Sequence, residues 1–249
     1  MILIAGDSWA CGEWRDNHFD SSLKDIILHG GLSQYLRESG HLVTNLGRGG
    51  GSNLDSYTQL ANFLTNNPDF QSQVTCIIVF QTSWDRDLKY MNDIELIENF
   101  NQGYVYGRER LISRFYHKLM IISSDFDVPV YVIGGLTDTL WMDQFSKEYP
   151  GVSIVCRSLT NLLLNSNPYI DRPVYSVFLH HQVDTLEKIK KLINQSDISI
   201  LLTDMQDGLD RLKLLKSNKH FFWPDGYHPN RLSHQILFNY LNDLRTFKQ

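Results

Sequence analysis

Apolar and polar positions alternate along this chain in blocks. The run Met1-Ile2-Leu3-Ile4-Ala5 is continuous, rich in aliphatic residues and cut off by Gly6, which reads as a short strand buried on both faces. His41 to Leu46 predicts a second strand, and Thr75-Cys76-Ile77-Ile78-Val79-Phe80 is the clearest buried strand. Pro129 to Ile133 predicts another, ended by Gly134-Gly135. Between these runs the period lengthens to that of a helix. Leu54, Tyr57, Leu60, Ala61 and Leu64 share one face, and a long helical segment runs from about Arg108 to Ser124. Strands alternating with helices build a parallel sheet, so the expected class is α/β.

Residues 136–219 carry a weaker pattern: one strand at Val152 to Val155, a helix after Thr185 and a short apolar run at Ile198 to Leu202. Loops such as Asn165-Ser166-Asn167-Pro168 separate them, and a lid, an insertion and extra sheet edge remain open. Pro229-Asn230 signals the start of a last helix from about Arg231 to Phe247. No repeat or low-complexity linker breaks the chain, so one domain over 1–249 is the simplest organisation.

Composition narrows the function classes. The 249 residues suffice for a sizeable core. The net charge of -5, with no basic run longer than Lys190-Lys191, gives no footprint for nucleic acid. No apolar stretch is long enough for a membrane span. Cys11, Cys76 and Cys156 are odd in number, scattered and without metal-ligand spacing, which favours a reducing compartment. With no signal peptide visible, the expectation is a cytoplasmic protein.

The chemistry sits in three short stretches. Gly6-Asp7-Ser8 follows the first strand, where ligands of open α/β sheets bind. Its structural alternative is a helix cap. In Trp223-Pro224-Asp225-Gly226-Tyr227-His228-Pro229 a carboxylate precedes a histidine by three residues across a glycine. One turn can then present both, the acid orienting the imidazole and the imidazole serving a hydroxyl. Asn45-Leu46-Gly47-Arg48-Gly49-Gly50-Gly51-Ser52-Asn53 is a glycine-rich turn after the second strand, able to bring backbone N–H groups close to an anion. It lacks both the Gly-Lys-Ser/Thr ending of a P-loop and the third glycine of a dinucleotide fingerprint.

Together, GDS after the first strand and DGYHP before the last helix resemble the SGNH (GDSL-type) hydrolase family. The resemblance implies a flavodoxin-like parallel sheet flanked by helices (the SGNH hydrolase fold). It implies Ser8 as nucleophile, His228 as general base and acid, and Asp225 as its orienter. Oxyanion donors would be the N–H groups of Ser8 and Gly50, with Gly49 as a one-residue alternative. The family's third block, Gly-x-Asn-Asp, is not kept. Phe80-Gln81-Thr82-Ser83-Trp84-Asp85-Arg86-Asp87 puts Trp84 where the Asn belongs, so Thr82, Ser83 or the Trp84 indole is the expected replacement donor.

Asp7, Trp9 and Trp84 are expected to line the substrate site. Trp14 and Trp223 also fall beside the blocks. His180-His181 reads as a surface pair rather than metal ligands, because adjacent strand residues face opposite ways. Asp204 and Asp207 read as helix-start or solvent-facing acids. The function implied is a serine esterase acting on small-molecule or glycan esters, with no cofactor and no metal. The alternatives are a catalytically silent domain of the same family that binds a glycan or protein, and a phosphate-binding α/β protein.

Overall fold

The structure is a computed structural model of the chain and describes residues 1–15, 26–139, 145–169, 173–177, 183–223, 228–244 and 246. Asp225, the pair His180-His181 and the ring of Trp14 lie outside the described residues.

β1 (Ile2–Ala5) sends Leu3 and Ala5 into one core and Ile2 and Ile4 into the other. A strand apolar on both faces belongs inside a sheet that is covered on both sides. After it come a short helix, α1 (Ser8–Cys11), and an antiparallel hairpin of β2 (Glu13–Arg15) and β3 (Ile26–His29). Then follow α2 (Gly31–Glu38), β4 (Val43–Asn45) and α3 (Asn53–Asn66). α3 starts where Ser52 accepts a bond from Asp55 N, while the Asp55 carboxylate accepts from Ser52 N. β5 (Cys76–Gln81), β6 (Val130–Gly134) and β7 (Val152–Cys156) complete a five-stranded sheet in the order β4-β1-β5-β6-β7. Every neighbouring pair is parallel.

Read in chain order, the sheet is 2-1-3-4-5, the flavodoxin-like arrangement. Its connections leave β1 in opposite directions, and in sheets of this order ligands bind beyond the carboxyl ends of the strands at that switch point, here β1 and β5. α3, followed by the short α4 (Pro68–Gln71), covers one face with α5 (Asp93–Phe100), α6 (Tyr104–Phe126), the one-turn α7 (Phe145–Glu148) and α9 (Val183–Leu192). α2, α8 (Leu159–Asn165) and α11 (Arg231–Asp243) cover the other. No helix among the described residues is long and apolar enough to cross a membrane.

α10 and Asp204 differ from the sequence pattern, as does the β2–β3 hairpin. The apolar run at Ile198 to Leu202 is part of a long helix, α10 (Gln195–Ser217), which gives Leu201 to the first core and Leu215 to the second. Asp204 is neither a helix-start nor a solvent-facing acid: it takes bonds from Tyr104 Oη at 2.9 Å and Arg108 Nη1 at 2.5 Å, fastening α10 to α6. Within 136–219, β7 is the sheet's edge strand. The segment 173–177 is held by Asp138 N to Val174 O (2.8 Å) and by Val177 N to Ser83 Oγ (2.9 Å). Arg211 of α10 pairs with Asp138 at 2.6 Å, both side chains buried.

On α11, His234 is sealed where a Cβ on Gly31 would lie 2.9 Å from its ring. Burial, and secondarily the charge of His29, pull its pKa down to about 4. The unfolded chain takes up this proton near pH ~6.5, the folded chain only near 4. His234 therefore contributes its full stability above pH ~6.5 and loses it as the pH falls towards 4, by about 3 kcal/mol in all. Urea unfolding at pH 7 and pH 4.5 should show a smaller acid loss for His234→Leu than for the wild type. Equal losses would remove His234 as the cause.

Candidate active site

Gly6 turns the chain out of β1 with φ +145°, and a Cβ there would stand 2.8 Å from the Cβ of Phe80 on β5. Only glycine lets the turn lie this close against the neighbouring strand. Asp7 caps α1 by accepting from Trp9 N at 2.9 Å, so capping does occur here. It is not the whole of what Asp7 does. Its second oxygen accepts from Thr82 Oγ1 at 2.8 Å and from Arg86 Nη1 at 2.9 Å, and the carboxylate is 1% exposed. Ser8 is the first residue of α1, beyond the carboxyl end of β1 and 8% exposed.

The glycine loop follows β4 and leans on the same turn. Arg48 N donates to Gly6 O at 3.0 Å, and Gly51 N donates to Arg48 O at 2.9 Å. Gly50 adopts φ +68°, is exposed, and faces open space where a side chain would be. Asn53 exchanges two bonds with the backbone of Thr82, from Asn53 Nδ2 to Thr82 O (3.0 Å) and from Thr82 N to Asn53 Oδ1 (2.9 Å). The turn after β1, the loop after β4 and the segment after β5 are thus joined at one end of the sheet.

The segment after β5 does not offer the side-chain donors expected from it. The Thr82 hydroxyl donates to Asp7, and the Ser83 hydroxyl donates to Asp85 while accepting from Val177 N. A hydroxyl has one proton, and both protons are already directed inward. Trp84 is 1% exposed, its ring 6.0 Å from Phe100 and 6.1 Å from Tyr104 in the first core. Trp9 is likewise buried, in the second core. Both indoles pack the interior and do not form the wall of a cleft. Sequence reasoning missed Arg86, whose guanidinium reaches both Asp7 and Gly51 O (3.1 Å). The sequence shows only an arginine between two acids, Asp85-Arg86-Asp87, and carries no signal of its partners.

His228 comes to the same part of the molecule on a short ladder. Phe222 and Pro229 form an antiparallel bridge, and Trp223 N donates to His228 O at 2.9 Å. The ring of Phe222 lies 5.8 Å from that of Trp9, the residue after Ser8, tilted by 44°. Beside this junction opens a groove of about 510 Å³, walled in part by Glu13, Phe222, Trp223 and Arg231. The Cys11 thiol is pushed up to about 12, chiefly by burial and then by the Asp7 charge, so it is not a competing nucleophile at neutral pH. Among the described residues no group of three His, Cys, Asp or Glu is arranged to hold a metal ion.

No protein-family model matches the sequence, and no curated protein matches it. Among solved structures the chain is similar to the psychrotrophic esterase EstA from Pseudoalteromonas sp., inhibited by monoethylphosphonate. That likeness has a TM-score of 0.43 at 10% identity and covers 99% of this chain and 97% of that one. It is also similar to TesA, with a TM-score of 0.41 at 11% identity over 97% and 96% of the two chains. A third is a member of the lipolytic protein G-D-S-L family from Veillonella parvula, with a TM-score of 0.38 at 13% identity over 99% and 98%. What the present chain does rests on its own residues.

Proposed function

We propose that the protein is a serine esterase of the SGNH type. The observation that supports this reading is the junction of three loops at the switch point of the sheet, where the glycine loop is bonded to Gly6 and the segment after β5 to Asp7, the two residues before Ser8. In this reading Ser8 Oγ attacks the acyl carbon and His228 accepts its proton. His228 then returns that proton to the leaving alcohol, and Asp225 orients the imidazole. Backbone N–H groups of Ser8 and Gly50 hold the oxyanion. Water releases the acyl group by the same steps in reverse order.

With the hydroxyls of Thr82 and Ser83 directed inward, the hole has fewer side-chain donors than the family pattern implies. One lost donor is worth about 3–4 kcal/mol of transition-state stabilisation in other hydrolases, so turnover should be slow. Small O-acyl groups on carbohydrates are the first substrates to test, then simple lipids and thioesters. The same inward hydroxyls favour the second reading, a silent domain that binds a glycan or protein. A fluorophosphonate probe separates the two. The esterase forms a covalent adduct on Ser8, located by mass spectrometry and absent from Ser8→Ala. An unlabelled Ser8 in folded protein supports the silent domain.

A further inference from the structure

We propose that Arg86 is a positioning residue that holds the glycine loop against the Ser8 turn and so sets the rate of acyl transfer, an assignment that rests on the esterase reading above. Loops beyond the carboxyl ends of parallel strands have no ladder of their own to fix their spacing. Here the spacing is fixed by side chains. One nitrogen of Arg86, Nη1, donates to Asp7 Oδ2 at 2.9 Å and to Gly51 O at 3.1 Å. Its two hydrogens therefore serve two different loops from a third. Arg86 is 8% exposed and Asp7 1%, so the pair works where water does not compete for these bonds.

The loop needs that hold. Gly50 packs against nothing in the direction of a side chain, and its φ of +68° belongs to a turn that Gly51 N to Arg48 O closes. A first bond, Arg48 N to Gly6 O, holds one end of this turn, a second, Arg86 to Gly51 O, holds the other, and between them the Gly49 N–H meets the Cys11 sulfur. Cutting the second lets the peptide that carries the Gly50 N–H swing about the first. The carbonyl of a bound ester would still find its place, but the developing oxyanion would not meet its donor. A displacement near 1 Å is enough to cost about 10²-fold in rate. The loss should fall on kcat, with KM nearly unchanged, because the missing contact strengthens only in the transition state.

Lysine is a poor replacement, being a point charge without the planar fork. Glutamine keeps two N–H hydrogens but is shorter and uncharged. It leaves the Asp7 carboxylate buried without its cation, so the single variant could unfold. The double variant Asp7→Asn/Arg86→Gln removes both charges and guards against that.

The experiment measures kcat and KM for p-nitrophenyl acetate, together with hydrogen exchange of the amides at 47–52. It compares wild type, Arg86→Lys, Arg86→Gln, Arg86→Ala and the double variant. The expected result is a fall in kcat of about 10²-fold for Arg86→Gln with KM within about threefold. The double variant should be no slower, exchange at 47–52 should quicken in both, and guanidinium ion should partly restore Arg86→Ala. Folded variants with wild-type kcat and wild-type exchange at 47–52 would overturn the assignment. So would a loss confined to KM. A wild type that neither turns over ester nor labels at Ser8 would sink the esterase reading instead. The exchange arm would then still decide whether Arg86 holds the loop.

Discussion

Ser8→Ala and His228→Ala should each lower ester hydrolysis by about 10⁴-fold or more, and the double variant should lose almost nothing further. The second half of this expectation is the sharper one. A nucleophile and the base that activates it work as a unit, so removing either removes the benefit of both. If Ser8 and His228 contributed separately, by packing the first turn of α1 and by supporting the Phe222–Pro229 bridge, their losses would multiply. Residual activity in Ser8→Ala has no thiol to fall back on. Cys11, on the same short helix, is held protonated by burial and by Asp7. Initial rates with p-nitrophenyl acetate on the four proteins decide the matter, with circular dichroism to establish that each is folded.

Asp138→Ala should be the most damaging substitution outside the candidate site, costing about 3–5 kcal/mol. Asp138 is fully buried and receives Arg211 at 2.6 Å and Val174 N at 2.7 Å through the same oxygen. Truncation leaves the Arg211 guanidinium in the interior with no counter-charge, and a backbone N–H without its acceptor. For a domain of this size each kcal/mol lowers the melting temperature by about 2–4 °C, so a fall of about 10 °C is expected by differential scanning calorimetry. Asp138→Leu/Arg211→Met removes both charges and should recover much of the loss. A single variant that melts within about 2 °C of wild type would show the pair to be dispensable.

The sheet was legible because its strands are buried on both faces. Ile2 to Ala5 and Cys76 to Phe80 contain no polar position, and a central parallel strand is the element that wants such a run. α10 was not legible as one helix. Gly208 and Arg211 stand on its buried side beside Leu201 and Leu215, so close packing on Ser176 and an ion pair replace part of the apolar stripe. The β2–β3 hairpin escaped for a similar reason, since Glu13-Trp14-Arg15 has charges at both ends of its strand.

The candidate site divides the same way. The Ser8 turn and the glycine loop announce themselves through glycine and through their place after strands. The role of Trp84 did not follow from its alignment with the family's asparagine. Position in a motif fixes where a backbone goes, while an indole goes to whichever aromatic cluster is nearest, here Phe100 and Tyr104. Arg86 could not be read at all before Asp7 and Gly51 were brought within reach of it.

The place of β1 has a consequence for the order in which a ribosome delivers the parts. Strand β1 is made before both of its partners, β4 and β5. Until residue 81 has left the exit tunnel, β1 is an aliphatic segment with at least one open edge, the kind of surface that chaperones recognise and that aggregates when left bare. The Asp7 contacts to Thr82 and Arg86 cannot form before then, and His228 arrives later still. A nascent chain released before the last helix would hold an assembled sheet and an inert serine.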